Sequence, residues 1–380
     1  MNKKIVITGT VCALMLASAA YAADTPVPSA EPTPAASVSS TAEAPIADTS
    51  AADTPAAAPV EEIPYSIGVK ATVTGITTTE DGYTSIEVKR EDGETIILNL
   101  SDETILVDNQ AGTAVGLDSI KEGDTIYAYH SMMMTMSIPG QTPALAILTN
   151  LGETVPAKLH MPEQVRYLDN KVTALCDNGS IVLSTSDETA FTPYRTRQIV
   201  AAQDVRLGHA FLAWYDVVAE SYPAQATATR VMILPEKAEP DAISLVLDGD
   251  MAIDAQWKDG AVVVPARTTA EALGLTVGYQ KRQAGDAPVI TIASKTGEIA
   301  MTIGEDAYSY RTTVPGMVGA TAALPYGAAP YFAPYKESAA PVTWMSAEAF
   351  QLLGYDVTLT HNQLSIKPQE PASTTPVVTQ

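Results

Sequence analysis

Apolar and polar residues alternate in short runs along most of this chain, with turn signals every eight to twelve residues. Residues 70–76 (KATVTGI) and 84–89 (TSIEVK) flank Glu80-Asp81-Gly82, the mark of a hairpin. Glu91-Asp92-Gly93 precedes a third alternating run at 95–100, and Lys121-Glu122-Gly123-Asp124 precedes a fourth at 125–129. Period two with frequent turns predicts a small antiparallel β-barrel or sandwich over 65–151. The next segment repeats its landmarks. Ser101-Asp102-Glu103-Thr104 returns as Ser186-Asp187-Glu188-Thr189, and nineteen residues after each Thr stands a glycine, Gly123 or Gly208. Six residues further comes an aromatic, Tyr129 or Trp214, and Pro139-Gly140-Gln141 answers Pro223-Ala224-Gln225 after a slip of one residue. The order of these matches predicts that 162–235 is a second copy of the same β unit.

The pattern changes after a hinge at 236–241. A strand at 243–247, a turn at Asp248-Gly249-Asp250 and a strand at 262–264 lead into a helix. Thr268 and Glu271 have capping-box spacing, and Gly274 supplies a left-handed stop before an alternating run at 275–279. A similar sequence recurs near the end: strand 342–344, Ser346 as N-cap, a helix to Leu353, Gly354, then strands at 355–359 and 363–367. The expectation for 243–367 is an α+β domain, itself duplicated, and for the whole chain a mainly β fold.

Val264-Pro265-Ala266-Arg267 followed by Ala270-Glu271-Ala272-Leu273-Gly274 resembles the repeated unit of the copper amine oxidase N-terminal-like, or stalk, domain. Ile290-Thr291-Ile292 and residues 299–304 fit that family's central hairpin, and 347–354 fit its second helix. Two departures stand out: Thr343-Trp344-Met345 in place of a second Val-Pro-Leu, and a Tyr/Pro/Ala-rich loop at 325–341. The resemblance implies a bacterial envelope or secreted module of accessory type, which neither holds the catalytic copper nor performs the oxidation. With neither an Asn-Tyr pair nor a His-x-His in the sequence, amine oxidation is excluded.

Composition adds a location. Lys3 and Lys4, an apolar run at 5–16 and the end Ala20-Tyr21-Ala22 form a secretory signal over 1–22, with cleavage expected after Ala22. The run is too short to span a bilayer, and no later stretch is long enough, so no integral membrane segment is expected in the mature chain. Residues 23–62 are Ala, Pro, Thr and Ser with seven acids and no Lys or Arg, a disordered linker rather than a fold. Residues 368–380 repeat the style and predict a disordered tail. The chain of 380 residues carries 22 Lys+Arg against 44 Asp+Glu, a net charge of −22. Such a balance argues against nucleic acid as a partner, since a polyanion requires a basic face. Cys176, the thiol left after removal of the signal, reads as a small buried hydrophobe.

Two segments carry candidate chemistry. If the strand from Thr125 runs on, period two puts His130, Met132, Met134 and Met136 on one face, with Met133 opposite. Thioether sulfur suits Cu(I), and one imidazole could complete a copper site. The second copy has Tyr215-Asp216-Val217-Val218-Ala219-Glu220 there, and a position that accepts Val as well as Met reads as barrel-mouth packing. An exposed partner surface is the third reading. In the second segment, Tyr326, Tyr331, Phe332 and Tyr335 alternate with prolines and could present rings to a sugar or peptide, or fold back over a core edge. His160, His209 and His361 are isolated in sequence and signal nothing beyond hydrogen bonding. Neither a Gly-x-Ser-x-Gly elbow nor a Gly-rich phosphate loop occurs. The expected function is a non-catalytic exported envelope protein that binds a wall polymer or another protein. Alternatives are a periplasmic or secreted Cu(I)-binding protein and a cell-wall hydrolase without recognisable motifs.

Overall fold

The computed structural model describes residues 64–235, 243–247, 252–280, 287–336 and 340–369. The expected signal, linker and hinge, the 248–250 turn and all but the first two residues of the tail lie outside them. Strands dominate, as the alternation predicts.

The first section contains β1 (Ile67–Thr78), β2 (Thr84–Arg90), β3 (Thr95–Leu100), β4 (Ile105–Asp108), β5 (Thr113–Ala114), β6 (Thr125–His130) and β7 (Gly140–Thr149). Antiparallel pairs β1–β2, β2–β3, β6–β7 and β1–β6 are joined by a parallel pair, β3–β7, which closes a five-stranded ring. The sheet is therefore mixed rather than purely antiparallel, in the manner of a partly open Greek-key barrel. Val73, Ile86, Val88, Leu98, Ile126 and Ile147 fill the interior, each on the inward phase of its strand. β7 is long enough to pair with β3 through its first half and with β4, also in parallel, through its second.

The second section contains β8 (Lys158–His160), β9 (Pro162–Leu168), β10 (Lys171–Cys176), β11 (Ile181–Ser184), β12 (Ala190–Pro193), β13 (Phe211–Trp214), β14 (Val218–Ala219), β15 (Ala224–Thr227) and β16 (Arg230–Ile233). Its hydrogen bonds recur where the repeated landmarks put them. The parallel partners Ile96 and Gly140 correspond to Ile181 and Ala224, and Ile105 and Ala146 to Ala190 and Arg230. Thr104 Oγ1 donates to the Ala144 carbonyl at 3.0 Å and accepts from the Ser101 amide at 2.9 Å. Thr189 Oγ1 does the same with Ala228 and Ser186 at 2.6 and 2.9 Å. The amides of Gly123 and Gly208, both with positive φ, donate at 2.9 Å to Val73 and Pro162. Ile138–Pro139 and Tyr222–Pro223 are both cis, and Ser137 and Ser221 each cap the following proline carbonyl. One difference is topological: β1 and β7 are continuous, whereas their counterparts are split into β8/β9 and β15/β16, leaving two sheets.

The third section comprises β17 (Ile243–Val246), β18 (Ala252–Lys258), β19 (Ala261–Pro265), α1 (Ala266–Ala272), β20 (Thr276–Gln280), β21 (Val289–Ala293), β22 (Gly297–Thr302), β23 (Tyr308–Thr312), β24 (Tyr331–Ala333), β25 (Val342–Ser346), a 3-10 helix at Ala347–Leu353, β26 (Tyr355–Thr360) and β27 (Gln363–Pro368). A seven-stranded sheet runs β24-β25-β19-β18-β17-β27-β26 and a four-stranded one β20-β21-β22-β23. Neither expected side-chain cap forms, although the second helix starts after Ser346 and ends before Gly354 as the sequence predicts. α1 begins at Ala266 behind Pro265, so Thr268 lies inside it, and Glu271 pairs with Arg267 at 3.2 Å instead of capping. Ser346 turns its hydroxyl to the Tyr326 carbonyl at 3.2 Å, leaving no side-chain cap on the tight helix that follows. Gly274 and Gly354 do adopt the left-handed conformation at the two helix ends, with φ of 73° and 80°.

The described residues belong to one compact unit. Ile105, Val107, Tyr129 and Leu148 form one apolar cluster with Leu159, Tyr194, Leu212 and Met232 of the second section. Trp214 Nε1 donates across that contact to Asn109, and Tyr194 Oη accepts from the Leu106 amide at 2.8 Å. A larger cluster continues from the second section into the third, alongside an Arg166–Asp356 ion pair and a 2.6 Å bond from Gln351 Nε2 to the Val165 carbonyl.

Candidate functional site

At the mouth of the first barrel the expected single face of His130 and methionines does not form. β6 ends at His130, because the segment from Ser131 to the cis proline turns away as a loop. The loop is held by the Ser131 amide on Pro143, by the Thr135 amide on Gln141 and by the Gln141 amide on Thr135 Oγ1, at 2.9–3.0 Å. Met132 and Met134 are 42% exposed, Met133 77% and Met136 fully exposed, so none belongs to the core. Val217 and Tyr222 of the corresponding second loop are exposed as well. His130 is buried, and burial lowers its pKa, holding the ring neutral.

The aromatic loop divides. Tyr326 is buried, edge-on to Tyr308 and Tyr167. Tyr331 stacks on Trp344 with its hydroxyl 2.7 Å from Gln256 Nε2, and Tyr335 meets the same indole edge-on. Of the four rings only Phe332 faces solvent. They cover a core edge, and they do not together form a platform.

A cavity of about 550 Å³ lies where the three sections meet. Ile105 and Leu145 come from the first, Leu159 and Leu234 from the second, Trp257 and Leu359 from the third. Four carboxylates join this apolar wall: Asp102, Glu103, Glu163 and Asp177, of which Glu163 is only 7% exposed. Among the described lining residues there is no Lys or Arg. His209 and His361, isolated in the sequence, are both brought to this wall. His209 Nε2 donates to the Gly260 carbonyl at 2.7 Å, and its ring meets Trp257 edge-on at 5.2 Å. Gly208 explains how close Trp257 can come: its φ is 74°, and a Cβ there would lie 2.7 Å from the indole. The indole Nε1 is buried and has no hydrogen-bond partner among the described residues.

Beneath the cavity His160 is bonded on both nitrogens, Nδ1 to Asp177 at 2.7 Å and Nε2 to Tyr215 Oη at 3.1 Å. The carboxylate can only accept at Nδ1, so in the neutral ring Nδ1 carries the hydrogen and the Tyr215 hydroxyl donates to Nε2. Asp177 and Asn178 occupy the left-handed turn between β10 and β11, conformations that Asp and Asn tolerate. Burial raises the Tyr215 pKa. Cys176 is fully buried and its thiol is pushed well up, first by burial and then by the neighbouring Asp177 and Glu163 carboxylates, so it behaves as the packing residue expected. Both ring nitrogens of His160 are thus occupied, and the Tyr215 hydroxyl that meets Nε2 belongs to a buried side chain.

No spacing signal in the chain marks the cavity, since its walls come from positions as distant as Asp102 and His361. Among the described residues no three His, Cys, Asp or Glu side chains converge on a common metal position. No described helix is long and apolar enough to cross a membrane. Comparison with known protein families, with curated proteins and with solved structures returns no match for this chain.

Proposed function

We propose that this chain is a non-catalytic, exported cell-envelope protein whose cavity at the meeting of its three sections binds an apolar ligand bearing a positive charge. The cavity itself carries the reading. Its volume is that of a small-molecule site, its walls are Leu, Ile and Trp, and the ionisable side chains with fixed charge on it are all acidic. A cation seated against an indole face and carboxylates gains from both, whereas an anion would be repelled. The secretory pattern of 1–22 supports export, and the stalk-like resemblance of 243–367 supports an envelope location. The recurrence of the Thr104 and Thr189 bonds and of the two cis prolines supports descent of 65–151 and 162–235 from one unit.

Decyltrimethylammonium, decanol and decyl sulfate share one tail and differ in charge, which makes them suitable probes. Saturable quenching of tryptophan fluorescence should be at least about tenfold tighter for the cation. The response should weaken in Glu163→Gln and Asp177→Asn and largely vanish in Trp257→Phe. Equal responses to all three probes, or a Trp257→Phe protein that responds like the wild type, would remove the cavity from the argument.

A further inference from the structure

His130 and the Met loop stand apart from that cavity. The imidazole Nδ1 lies 2.8 Å from the carbonyl oxygen of Ser131, an atom that can only accept. In the neutral ring Nδ1 therefore holds the hydrogen, and Nε2 presents a bare lone pair. Among the described residues nothing is hydrogen-bonded to Nε2. The same carbonyl accepts from Thr142 Oγ1 at 2.9 Å, so ring orientation and tautomer are fixed together. A carbonyl that accepts from one ring nitrogen in this way is what orients histidine ligands in metal sites.

Sulfur is brought to the strand face that the ring meets. Met134 folds back over Gly140: a Cβ on that glycine would stand 2.7 Å from Sδ and 3.0 Å from Cγ. Gly140 and Thr142 are two apart on β7 and so share a face, which puts the Met134 thioether on the side of the strand where Thr142 reaches His130. Met132 is covered to the same extent as Met134, while Met133 and Met136 project outward. The second section provides an internal control. Its loop keeps the cis proline and the serine cap on the proline carbonyl, yet contains no sulfur, and Tyr215 in the place of His130 is engaged by His160. The loop framework therefore does not require thioethers.

We propose that His130 Nε2 and the thioethers of Met132 and Met134 bind one Cu(I) ion at the mouth of the first barrel. Soft, polarizable sulfur with a single imidazole favours the monovalent ion over hard divalent cations, and low coordination suits so small a donor set. The loop is exposed, so the ion can reach it from solvent.

The full chain is titrated with Ag(I), a redox-inert stand-in, while its four histidine side chains are followed by ¹H–¹⁵N correlation. Cu(I) affinity is measured without oxygen against a chromophoric chelator. One equivalent should bind, the His130 Nε2 signal should move, and Met132→Leu/Met134→Leu should weaken binding about tenfold or more. Met133→Leu/Met136→Leu should leave the affinity unchanged. All four positions are solvent-facing, so circular dichroism should show both proteins folded. Equal affinity in the wild type and Met132→Leu/Met134→Leu, or a His130 signal that stays put at saturation, would overturn the assignment. Neither result bears on Trp257 or the cavity.

Discussion

Glu348→Gln should leave stability unchanged near pH 5 and raise it above about pH 8. The Glu348 side chain enters the short helix after β25 and is 3% exposed, with Oε1 lacking a hydrogen-bond partner. Burial pushes its pKa from 4.5 up to about 8, against a smaller opposing pull from Arg206. The sign follows from proton counting. Between these two values the folded protein holds a proton that the unfolded chain has released, so stability falls as pH rises and levels off once the folded form also ionises. At about 1.4 kcal/mol per pH unit, moving the ionisation from 4.5 to about 8 costs roughly 5 kcal/mol at the alkaline end. Gln keeps the shape and cannot ionise. The two proteins should therefore unfold alike in urea near pH 5 and diverge through neutrality, the variant being more stable by roughly 3–5 kcal/mol around pH 9. Buried tyrosines such as Tyr167 and Tyr326 have raised pKa values and titrate above this window in both proteins. Tryptophan fluorescence reports the unfolding. Parallel pH profiles, or a wild type whose stability is flat from pH 6 to 9, would show that the carboxyl is solvated or paired.

Two further outcomes follow from the packing. Thr104→Val and Thr189→Val each remove the side-chain partner of a buried carbonyl and of a partly buried amide, so each should cost about 1–3 kcal/mol in urea unfolding, and by similar amounts. A loss at only one position would mean that the paired bonds are not equivalent in strength. Tyr331→Ala removes a ring stacked on Trp344 and a bond to Gln256 and should cost about 2 kcal/mol or more, whereas Phe332→Ser should stay within about 0.5 kcal/mol. The reverse order in thermal unfolding would return the loop to the role of an exposed aromatic platform.

What could be read in the sequence was what neighbours decide. Alternation at 84–89 gave β2, and Gly82 and Gly93 gave its turns, because inward phase and left-handed backbone are local properties. The parallel pair β3–β7 was not legible: Ile96 and Gly140 meet across forty-four residues, and nothing in either strand names its partner. Extending β6 through the methionines failed for a related reason. The period matched a strand, but the side chains of Thr142 and His130 take up the Ser131 carbonyl and the strand ends at His130. The capping-box spacing places the first helix start three residues too late, since Pro265 is the N-cap and α1 begins at Ala266, whereas Ser346 and Gly354 bound the second helix where the sequence puts them. For the aromatic loop, both readings were open in the sequence, and Trp344 beneath the rings decided for packing.

The cavity arises where the two β units differ. In the first, β1 passes unbroken across the barrel and Val73 receives the Gly123 amide. In the second, the corresponding strand breaks at Met161, and Pro162 receives the Gly208 amide. The break places Met161 on the cavity wall, and Gly208, bare of a side chain, admits the Trp257 ring from the third section. The β26–β27 turn adds His361 and Asn362, both with positive φ, to the same wall. A closed second barrel would have covered this position with its own strand. Because it opens there, the third section closes the space from outside with an indole and a leucine, and the acidic side chains of the first section stand at the edge. The cavity thus comes from the local break between β8 and β9, using residues that would be unremarkable in any one section alone.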